Sequence, residues 1–184
     1  MGFHTFDAEK AEKLEDESRY RYVSREELVG SLDPSDGDVV ADLGSGTGFY
    51  TDDVAPHVER LYAVDVQEPM HDQYREKGVP ETVSLVTANV AELPFDDGEL
   101  DGAFSTMTFH EFAGADALAE VSRVLADDGR LVVADWSGSG SGESGPPVDE
   151  RFDVDEASEL LTDAGFTVEQ GYERPETFFL VAQR

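Results

Sequence analysis

The stretch Val39-Val40-Ala41-Asp42-Leu43-Gly44-Ser45-Gly46-Thr47-Gly48-Phe49-Tyr50-Thr51 constrains this chain more than any other. An apolar run closed by an acid, three glycines at alternate positions and a helix-compatible segment predict strand, tight loop and helix start. Gly44, Gly46 and Gly48 open backbone angles that other residues avoid and admit a ligand close to the main chain, while a helix starting near Phe49 points free N–H groups into the same space. The pattern is expected to hold a nucleotide-type cofactor.

Spacing and charge narrow the ligand. A dinucleotide fingerprint places its third glycine three positions after the second, which here is Phe49. Asp42 is expected at the carboxyl end of the strand, where a carboxylate repels a pyrophosphate and suits an ammonium group. S-adenosylmethionine carries that ammonium and no phosphate. Leu61-Tyr62-Ala63-Val64 predicts a second strand ending at Asp65, 21 residues after Gly44. Nucleotide folds place an acid at about that distance to hold ribose hydroxyls. S-adenosylmethionine and NAD would both use it, so Asp65 supports an adenosine ligand without choosing between them.

Composition bounds the rest. The 184 residues suit one domain, 1–184, with 42 acids against 13 bases and a net charge of −29. Such self-repulsion destabilises a compact domain in dilute buffer, but at about 1 M salt the Debye length falls to about 3 Å. The acids are scattered rather than gathered in a tail, and the lysines are only Lys10, Lys13 and Lys77. This is similar to proteins of salt-loving archaea; the alternative is an acidic protein with a face for a basic partner. Either way a nucleic-acid groove is disfavoured.

The absence of cysteine removes thiol nucleophiles, disulfides and Cys-based metal sites. His4, His57, His71 and His110 lack metal-ligand spacing, so no metal is expected. No run of 18 apolar residues occurs and the N-terminus has no signal-peptide pattern, which predicts a cytoplasmic protein with no membrane span.

Along the chain, residues 1–33 predict a helical, partly mobile N-terminal cap containing Phe3, Phe6, Tyr20 and Tyr22. Ser24 and Glu27 suggest a capping box before a helix with Leu28, Val29 and Leu32 inward, ending at Asp33-Pro34. Further strands are expected over 82–88, 100–106 and 130–135, with an amphipathic helix through Ala117, Leu118, Val121, Val124 and Leu125. Residues 137–147 are rich in Ser and Gly and predict a mobile loop beside the site. A helix over 153–164 and two antiparallel strands, 167–173 and 177–182, complete the chain. The alternation implies an α/β fold, an open parallel sheet with helices on both faces and an edge hairpin.

The order of motifs resembles class I S-adenosylmethionine-dependent methyltransferases, and within them the type 11 small-molecule enzymes similar to the ubiquinone and menaquinone methylase group. Ala41-Asp42-Leu43-Gly44-Ser45-Gly46-Thr47-Gly48, Ala63-Val64-Asp65, Glu92-Leu93-Pro94-Phe95 with Leu100-Asp101, and Glu120-Val121-Ser122-Arg123-Val124-Leu125 with Asp128-Gly129-Arg130-Leu131 carry the likeness over roughly residues 25–184. The resemblance implies a three-layer Rossmann-like fold with a seven-stranded sheet ordered 3-2-1-4-5-7-6, strand 7 antiparallel. It implies Asp42 near the methionine amino group and Gly44, Ser45, Gly46 and Gly48 against the methionine and ribose. Asp65 and Val66 fall at the ribose, Asn89 and Val90 beside the adenine, and Ser105 and Thr106 at the methionine end. Many relatives carry Asp where this chain has Asn89, whose amide oxygen still accepts a hydrogen bond.

Methyl transfer from a sulfonium has a good leaving group, so alignment and a dry cavity supply much of the acceleration. For a hydroxyl or acidic-carbon acceptor His110 and Glu111 are the candidate bases, with Tyr20 or Tyr22 next. Tyr20, Tyr22, Phe109 and Trp136 are candidates to line the acceptor pocket, with Phe112 beside them; such aromatics also serve as plain core. Arg151 is expected in a surface ion pair, or against an acidic acceptor. The function expected is transfer of a methyl group from S-adenosylmethionine to a small-molecule acceptor. An NAD(P)-dependent oxidoreductase and a non-catalytic S-adenosylmethionine-binding protein are the alternatives. Lack of cysteine argues against arsenite-methylating relatives.

Overall fold

A computed structural model describes residues 13–184; Phe3, His4 and Phe6 of the expected cap lie outside the described residues. The strands are β1 (Val39–Leu43), β2 (Arg60–Asp65), β3 (Val83–Thr87), β4 (Leu100–Thr106), β5 (Leu125–Trp136), β6 (Thr167–Glu173) and β7 (Thr177–Gln183). They form one sheet ordered β3-β2-β1-β4-β5-β7-β6. β1 to β5 run parallel, while β7 is antiparallel to both β5 and β6. This is the seven-stranded order expected above.

Strand alternation sends neighbouring residues to opposite faces, and both faces are covered. On one face Val40, Leu61, Phe104, Val132 and Phe179 pack with Leu28 and Leu32 of α1 (Arg25–Leu32), Tyr50 and Val54 of α2 (Phe49–Val54) and Tyr74 of α3 (Glu68–Lys77). On the other, Ala41, Leu43, Leu131, Phe178 and Leu180 meet Phe109 of α4 (Phe109–Phe112). Leu118 and Val121 of α5 (Ala115–Val124), and Ala157 and Leu161 of α6 (Val154–Asp163), complete that face. The chain winds outward from β1 in both directions, so the loops after β1 and β4 diverge and leave a crevice at the carboxyl ends of the strands.

Two local details differ from the sequence pattern. α2 is short and passes into a 3-10 turn at Ala55–His57, because Pro56 has no N–H to continue the helix ladder. β5 starts at Leu125, not 130: Leu125 pairs with Leu100 and the next pair is Gly102 with Arg130, so residues 126–129 bulge out around Asp128 at φ 66°.

The segment before α1 is pinned across α2. It holds a 3-10 turn, Glu17–Arg21, capped by Asp16. The Tyr50 hydroxyl donates to the carbonyls of Arg19 and Val23, each at 3.1 Å. Tyr20 and Arg25 both donate to Asp53, and Arg174 of the β6–β7 turn donates to the Tyr22 carbonyl. Residues 137–147 fold back over the end of β5. There the buried Arg151 donates to the carbonyls of Ser137, Ser144 and Pro146, with its guanidinium 5.6 Å from the Trp136 ring centre. Arg151 therefore braces this segment and, among the described residues, forms no ion pair, since backbone carbonyls already surround its charge.

Gly48 ends the glycine loop at φ +82°, and a Cβ added there would lie 2.1 Å from the buried Tyr74 ring. Gly48→Ala should cost about 1–2 kcal/mol in left-handed backbone and a further ~1–3 kcal/mol in displacing a packed ring. Urea denaturation measures this; a loss under about 0.5 kcal/mol, the level of a neutral surface change, would contradict the packing role.

Candidate functional site

The loop after β1 is closed onto the end of β2 by a backbone carbonyl and a carboxylate. The N–H groups of Gly44 and Ser45 both donate to the Val64 carbonyl at 2.9 Å. Gly46 N–H donates to Asp65 Oδ2 and Gln67 N–H to Asp65 Oδ1, each at 2.8 Å. Two amides thus orient the acid, and lone pairs remain on it for a ligand. The three glycines have different neighbours. A Cβ on Gly44 would strike Thr108 at 2.4 Å and one on Gly48 would strike Tyr74, whereas one on Gly46 would meet only Leu14, at 3.3 Å. Close packing explains the first and third; Gly46 is the one that keeps the cavity side of the loop low.

Behind this loop sits an electrostatic gap. Asp42 is buried, its Oδ2 accepting from Thr51 Oγ1 at 2.6 Å and its Oδ1 having no partner. Burial pushes its carboxyl up to about 7; the Thr51 hydrogen bond opposes this, Asp65 adds to it and Arg19 opposes it. Ser45 Oγ is likewise buried and unpartnered. Unsatisfied buried groups of this kind are costly and call for a ligand or a specific reason.

A cavity of about 1020 Å³ opens from the glycine loop along the carboxyl ends of the strands. At one end are Gly44, Ser45, Gly46, Asp65, Val66, Met70, Asn89 and Val90; at the other are Tyr22, His110, Glu111, Phe112, Trp136, Pro146 and Pro147, with Thr106 and Thr108 between. Asn89 Oδ1 accepts from Ala91 N–H at 2.9 Å, which fixes the amide in a local turn. Tyr22 and Trp136 meet edge to face, ring centres 4.7 Å apart.

At the end of the cavity away from the glycine loop a histidine is held by a buried acid. Asp135, fully buried at the end of β5, accepts from His110 N–H at 2.6 Å and from Trp136 N–H at 2.7 Å. His110 Nδ1 lies 2.9 Å from the same carboxylate, which can only accept, so Nδ1 carries a proton and Nε2 is the open position. Nε2 is 4.0 Å from Glu111 Oε1. Burial pulls the His110 pKa down, but the Asp135 hydrogen bond and charge, with Glu111, outweigh it and leave it raised. Glu111 is pushed up to about 7, by burial first, opposed by His110 and reinforced by Asp65 and Asp135.

Of the residues singled out from sequence, the cavity brings together Gly44, Ser45, Gly46, Asp65, Val66, Asn89, Val90, Thr106, His110, Glu111, Tyr22 and Trp136. Asp42, Gly48 and Ser105 stand one layer behind; the Ser105 hydroxyl donates to the Leu43 carbonyl at 2.9 Å and ties β4 to β1. Tyr20 is engaged with Asp53, and Phe109 is buried among Phe112, Phe152 and Phe178, so neither lines the cavity. Asp135 and Arg19 were not foreseen. Asp135 did carry a signal, an acid ending an apolar strand as Asp42 and Asp65 do; Arg19 carried none.

A family described as methyltransferase domain, Methyltransf_11, matches residues 41–133. An uncharacterised Geobacillus methyltransferase is 26% identical over 130 residues, 69% of this chain and 61% of that protein. A demethylmenaquinone methyltransferase of Corynebacterium kroppenstedtii is 33% identical over 107 residues, 58% of this chain and 45% of that one. The chain thus spans less than two thirds of these curated relatives. The crystal structure of a SAM-dependent methyltransferase from Aquifex aeolicus superposes with a TM-score of 0.88 at 30% identity, covering 97% of this chain and 99% of that one. The match extends over the whole sheet and the loops that build the cavity, and with it the chain belongs to the Methyltransf_11 family of methyltransferase domains, with S-adenosylmethionine as its cofactor.

Proposed function

We propose that the chain transfers a methyl group from S-adenosylmethionine to a small-molecule acceptor held in the aromatic half of the cavity. The observation that carries this reading is one cavity with two chemically distinct ends. Its volume of about 1020 Å³ lies just above the range of about 300–1,000 Å³ for a site holding one drug-sized ligand, which suits a cofactor and a second molecule together. The residues present fit the cofactor: Asp65 is oriented for ribose hydroxyls, Gly46 lets the ligand approach, and the unpaired Asp42 Oδ1 suits an ammonium and disfavours a pyrophosphate. When bound, the cofactor supplies a methyl group on a sulfonium, a strong electrophile. The protein's own work is to align the acceptor between Tyr22, Phe112 and Trp136 and exclude water there. His110 Nε2 accepts the proton of a hydroxyl or amine acceptor, and Asp135 holds that imidazole in the right tautomer. The demethylmenaquinone methyltransferase relative suggests quinones of that kind as one class of acceptor to screen.

We also propose a halophilic source, a cytoplasmic location, and a single domain in which residues 13–33 serve as cap and 137–147 as a loop beside the site. The charge of −29 supports the first. Among the described residues no helix is long and apolar enough to cross a membrane. Raising potassium chloride from 0.1 to about 2 M should raise the melting temperature by several degrees, as screening removes self-repulsion; an unchanged value would argue against adaptation to salt.

Calorimetric titration in about 2 M potassium chloride tests the cofactor site. S-adenosylmethionine and S-adenosylhomocysteine should bind, NAD should not, and Asp65→Ala should weaken binding by about tenfold or more. Binding of NAD alone would overturn the assignment, and cofactor binding with no methyl transfer across a broad acceptor screen would favour a non-catalytic binder.

The raised Asp42 carboxyl gives a proton signature. An arriving ammonium favours the ionised form, so binding below about pH 7 should release a proton, seen as a dependence of the heat on buffer ionisation enthalpy. Asp42→Asn should abolish the release.

As general base, His110 must be unprotonated, so kcat/KM should rise with pH through a value above that of an ordinary histidine. Asp135→Asn removes the charge that stabilises the imidazolium, and should move that rising limb to lower pH while slowing the reaction. His110→Ala should cost about 10²–10⁴-fold in rate; a variant with unaltered rate would remove His110 from the chemistry.

A further inference from the structure

Resting on the proposed cofactor site, we infer that Arg19 is the clamp for the carboxylate of the cofactor's amino-acid end, and that through it the segment before α1 responds to cofactor binding. Arg19 shares a wall of the cavity with Gly44, Ser45, Gly46 and Tyr50. Its guanidinium carbon lies 5.0 Å from the ring centres of both Phe49 and Tyr50, in the angle between two aromatic faces at the start of α2. Its backbone is clamped as well, Arg19 N–H donating to Asp16 at 3.0 Å and its carbonyl accepting from Tyr50 and from Tyr22 N–H.

The guanidinium itself is undersupplied. Among the described residues it makes one hydrogen bond, to the Leu14 carbonyl at 2.6 Å, and no carboxylate lies within ion-pair distance of it. In a chain with 42 acids against 13 bases, Arg25, Arg75, Arg123, Arg130, Arg174 and Arg184 each have a carboxylate within 4.0 Å. Of the others, Arg21 and Arg60 are exposed beside a tyrosine hydroxyl and Arg151 is saturated by backbone carbonyls, which leaves Arg19 as the cavity-lining arginine with a single bond among the described residues. A guanidinium offers five N–H donors in a planar fork that matches a carboxylate. Two residues before Gly44 is the opposite deficit, the buried Asp42 Oδ1 with no donor. Asp42 and Arg19 feel each other's charge without touching. An unpaired cation and an unpaired anion held apart beside a glycine loop are complementary to an α-amino acid, whose ammonium and carboxylate answer them in turn.

The placement links cofactor to acceptor. Tyr22, three residues after Arg19, stands against Trp136 in the acceptor half. An anion drawing Arg19 inward steadies the turn that carries Tyr22, so the cofactor should bind first and complete the acceptor wall.

Decarboxylated S-adenosylmethionine keeps the adenosine, sulfonium and ammonium and lacks only the carboxylate. The wild-type protein should bind it about tenfold to a hundredfold more weakly than S-adenosylmethionine. Arg19→Gln should lose affinity for S-adenosylmethionine by the same factor and bind the two compounds alike, with Arg19→Lys between. S-adenosylmethionine, but not the decarboxylated compound, should slow amide hydrogen exchange over residues 13–22. Equal binding of the two compounds by the wild type, or equal weakening of both by Arg19→Gln, would overturn the clamp while leaving the cofactor assignment standing. Failure of the wild type to bind either would overturn both. Should Arg19→Gln fold poorly, the wild-type comparison of the two compounds decides alone.

Discussion

The carbonyl oxygen of Val64 accepts hydrogen bonds from both Gly44 and Ser45, and this joint between β1 and β2 sets the geometry of everything around it. It forces the chain to turn at the strand end, which is possible because Gly44 and Gly46 adopt positive φ. The turn lowers Gly46 N–H onto Asp65, so the acid that faces the cavity is aimed by the loop beside it. The same turn buries Asp42 beneath the loop with one oxygen unsatisfied. Strand order then decides where the cavity goes: β4 lies on the far side of β1, and its following loop presses Thr108 against Gly44.

Electrostatics divide the cavity into halves. Around the glycine loop, charges of opposite sign are held apart, each short of a partner. Around His110 the charges are close and satisfied: Asp135, fully buried, receives two backbone N–H groups and an imidazole N–H. An incomplete set of charges suits the binding of a zwitterion, and a complete one suits a fixed base. Arg151 serves neither half directly. By gathering the carbonyls of Ser137, Ser144 and Pro146 it fixes the segment whose Pro146 and Pro147 line the cavity together with Trp136.

The fold was largely legible in the sequence because its signals are local. Apolar runs closed by Asp42, Asp65 and Thr106 became strands ending at Leu43, Asp65 and Thr106, and Ser24 and Asp153 marked helix starts where the structure has them. Where the sequence pattern misled, a neighbour decided: Pro56 cut α2 short, and pairing with Leu100 drew Leu125 into β5. Half of the site was equally legible, since glycines and strand-end acids lie on the elements that place them. Tyr20 and Phe109 were less so; an aromatic side chain has the same signature in a core as in a pocket, and packing sent one to Asp53 and the other into the core.

By itself the sequence determined the strand and helix periodicity, the loop that only glycine permits, and the acids at the ends of buried strands, all consequences of neighbours a few residues apart. Tertiary structure alone decided that Asp135 would hold His110 from 25 positions away and that Arg19 would rest on the rings of Phe49 and Tyr50. It also decided that Arg151 would turn inward to backbone carbonyls, not outward to the many acids. These are pairings between side chains with no sequence period. They form only when the winding order of the sheet brings separate loops to one edge and burial makes each unpaired charge seek whatever partner lies within reach.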